Sequence, residues 1–174
     1  MKVPSEKIRV PRGRITDEHY AARQRAREAL SMEEKISIDA ALLLASQQGL
    51  QDRVYECLES GADENARDKN LNTGLILVAN AKCSYPVTAY VLLNGRADPS
   101  LANDKKEVAL PVAIARGHLG VAHAIRRYHT SISQEIREAA RVAGEHAETA
   151  GTWKARKWVR TQILMALDRL RLNL

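Results

Sequence analysis

Residues 61–75 read GADENARDKNLNTGL, a Gly-, Asp- and Asn-rich turn that runs directly into an apolar helix start at Thr73. Gly and Asn tolerate left-handed backbone, and Asp and Asn side chains accept hydrogen bonds from nearby backbone N–H groups. The stretch therefore predicts a tight polar loop rather than a strand or helix. It does not stand alone. Gly61-Ala62-Asp63 recurs as Gly95-Arg96-Ala97-Asp98, with the two glycines 34 residues apart. Ala45, Ala79 and Ala113 repeat at the same interval, and Gly49 and Gly117 are separated by 68, twice that interval. Three registers sharing one period identify an internal repeat, and a period of this length belongs to stacked supersecondary units.

Each unit reads as two short helices and a turn. In the first, IDAALLLASQQG (38–49) is an apolar helix stopped by Gly49. LQDRVYECLESG (50–61) follows, with Val54, Cys57 and Leu58 at helical spacing and Gly61 as the stop. The second runs TGLILVANAK (73–82), then YPVTAYVLLNG (85–95) with Pro86 near a helix start. The third runs VALPVAIARG (108–117), then HLGVAHAIRRYH (118–129).

GADENARDKNLNTGL resembles the finger motif of the ankyrin-repeat family running into that family's TPLH helix start. ARGHLGVAHAI (115–125) resembles its GHL helix start. The resemblance covers about residues 37–129, some half of the chain. Gly74 stands in place of the family's Pro, Ile76 and Pro111 in place of its His, and Lys82 in place of a turn Gly. Repeat two also reads one or two residues longer than its neighbours. The fold implied is all-α, an ankyrin-repeat helical stack of three degenerate repeats with helical flanks. On such a stack the turn tips and one helix layer line a concave face. By resemblance, the tips here are Lys69, Asn70 and Asn72, then Lys105, Lys106 and Glu107. The groove-side helix ends are Gln47, Gln48, Asn80, Ala81 and Arg116. These are either partner contacts or plain solvent-facing polar residues.

A terminal repeat needs a cover, because its apolar face would otherwise meet water. The flanks suit this purpose. Residues 1–15 read as a basic extended arm and 16–36 as a flanking helical segment. Within that segment Thr16-Asp17-Glu18 opens a helix through about Leu30, and Ser31-Met32-Glu33-Glu34 is a capping box. Residues 131–174 read as a two-helix extension, opened by Ser131 and Gln134 and broken near 149–152. On its last helix Val159, Ile163, Leu167 and Leu170 form an apolar stripe.

Composition agrees with a buried core, at 45% hydrophobic and 28% charged. Phe is absent, so the core must be aliphatic, which suits thin helix-on-helix layers. Cys57 and Cys83 lie in apolar stretches without metal-like spacing and read as buried free thiols, natural in a reducing intracellular compartment. No apolar run of about 18 residues is present to span a membrane. Residues 1–14 hold no apolar secretory stretch, and Pro4, Pro11 and Gly13 interrupt the amphipathic helix of a transit peptide.

The net charge of +6 is unevenly spread. Residues 1–27 and 153–174 each carry +5, leaving 28–152 at −4. Basic ends suit acidic proteins, anionic membranes or nucleic acid. Arg12 and Arg14 sit in a Pro- and Gly-flanked arm. Trp153 and Trp158 interleave with Lys154, Arg156, Lys157 and Arg160. Three roles fit that last helix: a cover on the repeats, a helix docked on a partner, or a contact to phosphates.

Chemistry is hard to place on this sequence. His118, His123 and His129 do not share one helical face, and no zinc-like Cys/His pattern exists. His118 occupies the GHL position, where a hydrogen-bonding role is expected; His19 and His146 read as solvated. No phosphate-cradling Gly-rich loop or nucleophile elbow is present. The expectation is a non-enzymatic protein–protein interaction module, without cofactor or metal. It would serve as an adaptor or structural subunit of a larger assembly. Two alternatives stand beside it: a nucleoprotein component, such as a ribosome-associated one, gripping RNA phosphates with its basic ends, and a secreted microbial ankyrin effector.

Overall fold

The computed structural model describes residues 15–128. The chain divides into two compact units, residues 1–125 and 126–174. The Arg12/Arg14 arm and the 131–174 extension, with its tryptophans and basic residues, lie outside the described residues.

The described part is all-helical. Its helices are α1 (Asp17–Ala29), α2 (Met32–Gln48), α3 (Gln51–Glu59), α4 (Gly74–Ala79), α5 (Pro86–Asn94) and α6 (Ala109–Ala115). Residues 119–128 are also helical. The only strand-like pairing among the described residues is two isolated antiparallel bridges, Arg67 to Thr73 and Ala102 to Val108. α2, α4 and α6 lie side by side in one layer, and α3 and α5 neighbour each other in a second. The inner helices α2 and α4 each pair with the outer helix that follows, α3 and α5.

Local chemistry explains the boundaries. The Thr16 hydroxyl accepts from the His19 N–H and opens α1. Ser31 and Glu34 form the reciprocal capping box at the head of α2, and Gly49, at φ 71°, closes it in the left-handed region. Thr73 caps α4, and Pro86 takes the first turn of α5, where its missing N–H costs nothing. The core is aliphatic throughout: Leu42, Val54, Leu58, Leu75, Leu92, Val121 and Ile125 are all fully buried. Burying one such side chain stabilises by roughly 1.5–3 kcal/mol. Ala45, Ala79 and Ala113 are buried too, and their small size lets neighbouring helices approach closely.

Several sequence expectations need correction. The helix from Thr16 and the Ser31 capping box are both present, with α1 ending at Ala29, but the helix that the box opens runs unbroken through the 36/37 boundary to Gln48. No stop signal lies between Glu34 and Ile38, so residues 32–36 belong to the first long helix. Nor does α1 cover the end of the layers. Its start, Ile15, donates to the Asn94 carbonyl at the end of α5, while Arg27 near its end donates to the Gly61 carbonyl beyond α3. α1 is a strap across the C-terminal ends of the two outer helices. Gly61 permits this approach, since a Cβ there would stand 2.8 Å from the Arg27 nitrogen.

The repeat register also shifts. The left-handed residue matching Gly61 (φ 92°) is Arg96 (φ 75°), not Gly95. The Ala62 and Ala97 N–H groups, 35 residues apart, make the same bond back to Cys57 and Leu92. The extra residue falls in the long loop between α4 and α5. Cys83, in that same loop, is exposed rather than buried. His19 is bonded to Glu59 at 2.8 Å rather than free in solvent.

Candidate partner-binding groove

Two finger turns are built alike. The Asp68 carboxylate accepts from the backbone N–H groups of Asn70 and Asn72, at 2.8 and 2.9 Å. Thirty-five residues on, the Asn103 side-chain amide oxygen accepts from the backbone N–H groups of Lys105 and Glu107, at 3.0 and 2.9 Å. In each turn the residue before the second donor is left-handed, Leu71 at φ 59° and Lys106 at φ 61°. A bulky residue there costs about 1–2 kcal/mol, so the side-chain clamp holds the tip in shape. Burial alone would raise the Asp68 carboxyl. Hydrogen bonds from Asn72 and Asn70 and the charge of Lys69 outweigh it, so the group sits below its ordinary value.

The turns are also laced to each other. The Asn103 amide donates to the Asn72 side-chain oxygen at 3.0 Å, and the Asp104 N–H donates to the Asn70 carbonyl at 3.2 Å. Asn72 is thus committed to the ladder, half-buried, and is not a free contact. Lys69, Asn70, Lys105 and Lys106 are exposed at the tips, as is the apolar Leu71.

Below the tips, the ends of the inner helices frame an open cleft of about 470 Å³. Gln47 comes from the end of α2, Leu77 from α4, and Arg116 from the cap of α6. Asn80, Ala81, Lys82 and Tyr85 come from the long loop. The structure therefore brings together Gln47, Asn80, Ala81 and Arg116 from the sequence-predicted groove residues. Gln48 is exposed but does not line the cleft. Sequence reasoning missed Leu77, Lys82 and Tyr85. The signal was the extra length of repeat two and the Lys in place of a turn Gly, which together push this loop into the cleft wall.

Tyr85 is fixed by its backing. Its ring lies directly on Gly49, where a Cβ would collide with it. Neighbouring units are tied on the same side: the Thr88 hydroxyl donates to the Gly49 carbonyl at 3.0 Å. His118 is buried with Nδ1 3.1 Å from the Ala79 carbonyl. A carbonyl only accepts, so Nδ1 carries the proton. His118 thus ties neighbouring repeats through this bond. His123 is exposed.

The chemical character of the cleft follows. Two cations, two carboxamides and a phenol surround an aliphatic floor, and no carboxylate lines it. Neither Lys82 nor Arg116 forms an ion pair among the described residues. No group of three or more His, Cys, Asp or Glu that could hold a metal ion occurs among the described residues. No helix among them is long and apolar enough to cross a membrane. In comparisons with known proteins, no family model and no curated protein matches this chain.

Proposed function

We propose that this chain is a non-enzymatic protein-interaction module of the ankyrin-repeat type, serving as an adaptor or subunit of a larger assembly. The single observation that carries the reading is the edge formed by the fingers and the cleft. Two turns, clamped internally by Asp68 and Asn103, are locked to one another by the Asn103–Asn72 and Asp104–Asn70 bonds, while the adjoining cleft keeps two cations without internal partners. Such a rigid edge loses little conformational freedom on binding, which leaves more of the contact energy as affinity. The basic terminal segments would add separate contacts.

Affinity purification of the intact protein from its native cells, with and without nuclease, tests this. Protein partners that persist after nuclease treatment, and an apparent gel-filtration mass larger than a monomer's, are expected. A lone monomer would overturn the reading. Partners lost on nuclease treatment, with salt-steep binding, would replace it with RNA tethering through the basic ends.

A further inference from the structure

Charge in the first compact unit is segregated along the chain. Residues 15–66 hold eleven Asp or Glu against five Lys or Arg, whereas residues 67–125 hold seven Lys or Arg against four Asp or Glu. Of those four, Asp68, Asp98 and Glu107 spend carboxylate oxygens on Asn72, Ser100 and Asn103. The cations have no such employment at the finger and cleft edge. Lys69, Lys82, Lys105, Lys106 and Arg116 are all exposed there. The edge therefore carries five exposed cations; Asp104 and Glu107 are exposed carboxylates at the tip, and no carboxylate lines the cleft.

We infer that the cleft accepts a short acidic segment of a partner protein, with one carboxylate between Lys82 and Arg116 and an apolar neighbour on Leu77 and Tyr85. This rests on the interaction-module reading and supplies its specificity. Lys82 and Arg116 belong to different units, so a carboxylate between them bridges the second and third repeats. Gln47 and Asn80 offer amide donors and acceptors for the bound segment's backbone, and Leu77 gives the apolar floor. The cleft's size suits one or two side chains. A long polyanion such as an RNA helix would also meet the net negative charge of residues 15–66, eleven Asp or Glu against five Lys or Arg. A short segment held in the cleft meets less of that field. Paired charges across such an interface set specificity and encounter rate more than raw affinity.

The test places a photo-crosslinking residue at Asn80 in the full chain, expressed in its native cells, and reads the attached peptide by mass spectrometry. A second site at Lys105 serves as the finger control. The expected product at Asn80 is a protein segment with at least two Asp or Glu within a few residues of the attachment. Lys82→Glu with Arg116→Glu should lower its yield at least about tenfold, with an unchanged far-ultraviolet circular dichroism spectrum. A neutral or basic segment, RNA, or a yield indifferent to the double substitution would each overturn the inference. Products at Lys105 but none at Asn80 would also overturn it while leaving the interaction-module reading intact. No product at either site would count against both.

Discussion

The two long edges of the helical layers use the same residue types in opposite ways. On the strap edge the inward-facing charges are matched, while Glu18, Arg25 and Glu28 are exposed. Arg27 grips Asp39 with two hydrogen bonds of 2.8 Å and also reaches the Gly61 carbonyl. Asp39 accepts from the Asp63 N–H, Glu59 takes Arg23 and His19, and Arg96 pairs with Asp17 while lying over the Tyr20 ring at 4.4 Å. On the finger edge the clamps are equally exact in geometry, but Lys69, Lys82, Lys105, Lys106 and Arg116 point to solvent without ion-pair partners among the described residues. Spacing along the chain does not separate these roles. What separates them is whether the neighbouring element supplies an opposite charge. A partly buried cation with a fixed carboxylate is structure, and an exposed one beside a cleft is available to a partner.

That contrast can be broken by substitution. Asp39→Ala should have the largest effect, about 3 kcal/mol, because it strands the half-buried Arg27 and frees the Asp63 N–H. Urea denaturation measures it, and a loss under about 1 kcal/mol would mean the strap is a passive appendage. Gly49→Ala comes next, at about 1–2 kcal/mol, since the left-handed backbone disfavours a Cβ and the Tyr85 ring must move. Its quenching or chemical-shift signature should appear at Tyr85, on the cleft, and not in α1.

Acid should act on the strap through Glu59. Burial alone would raise the Glu59 carboxyl, but bonds from His19 and Arg23 outweigh it and hold the group below its ordinary value near 4.5. A depressed carboxyl gives stability that is present above its unfolded pKa and lost as pH falls through the folded one. Stability should therefore decline below about pH 4.5, and Glu59→Gln should flatten that decline. The smallest expected effect is Lys82→Ala or Arg116→Ala, within about 0.5 kcal/mol of the parent in stability, alongside weakened partner capture.

Much of the fold was legible because it is written in punctuation. Thr16, the Ser31 box, Gly49, Gly61 and Pro86 mark helix ends with residues whose backbone or side-chain chemistry has few other uses. The 34-residue period located the units, yet it misaligned Gly61 with Gly95. Glycine identity is a weaker guide than backbone handedness, and here Arg96 holds the left-handed position. The strap's path was not legible, since nothing in ARQRAREA states that Arg23 and Arg27 meet Glu59 and Asp39 rather than solvent. The cleft was half legible. Helix-end positions Gln47, Asn80 and Arg116 follow from the repeat pattern, but Lys82 and Tyr85 enter only through a loop lengthened within one repeat, and loop paths are not periodic.

The most direct test of the account is amide hydrogen exchange on the full chain, alone and with its co-purified partner. The account predicts new protection over residues 77–85 and 114–118, with the strap at 17–29 unchanged. Protection confined to the strap, with the cleft segments exchanging as in the free chain, would contradict it.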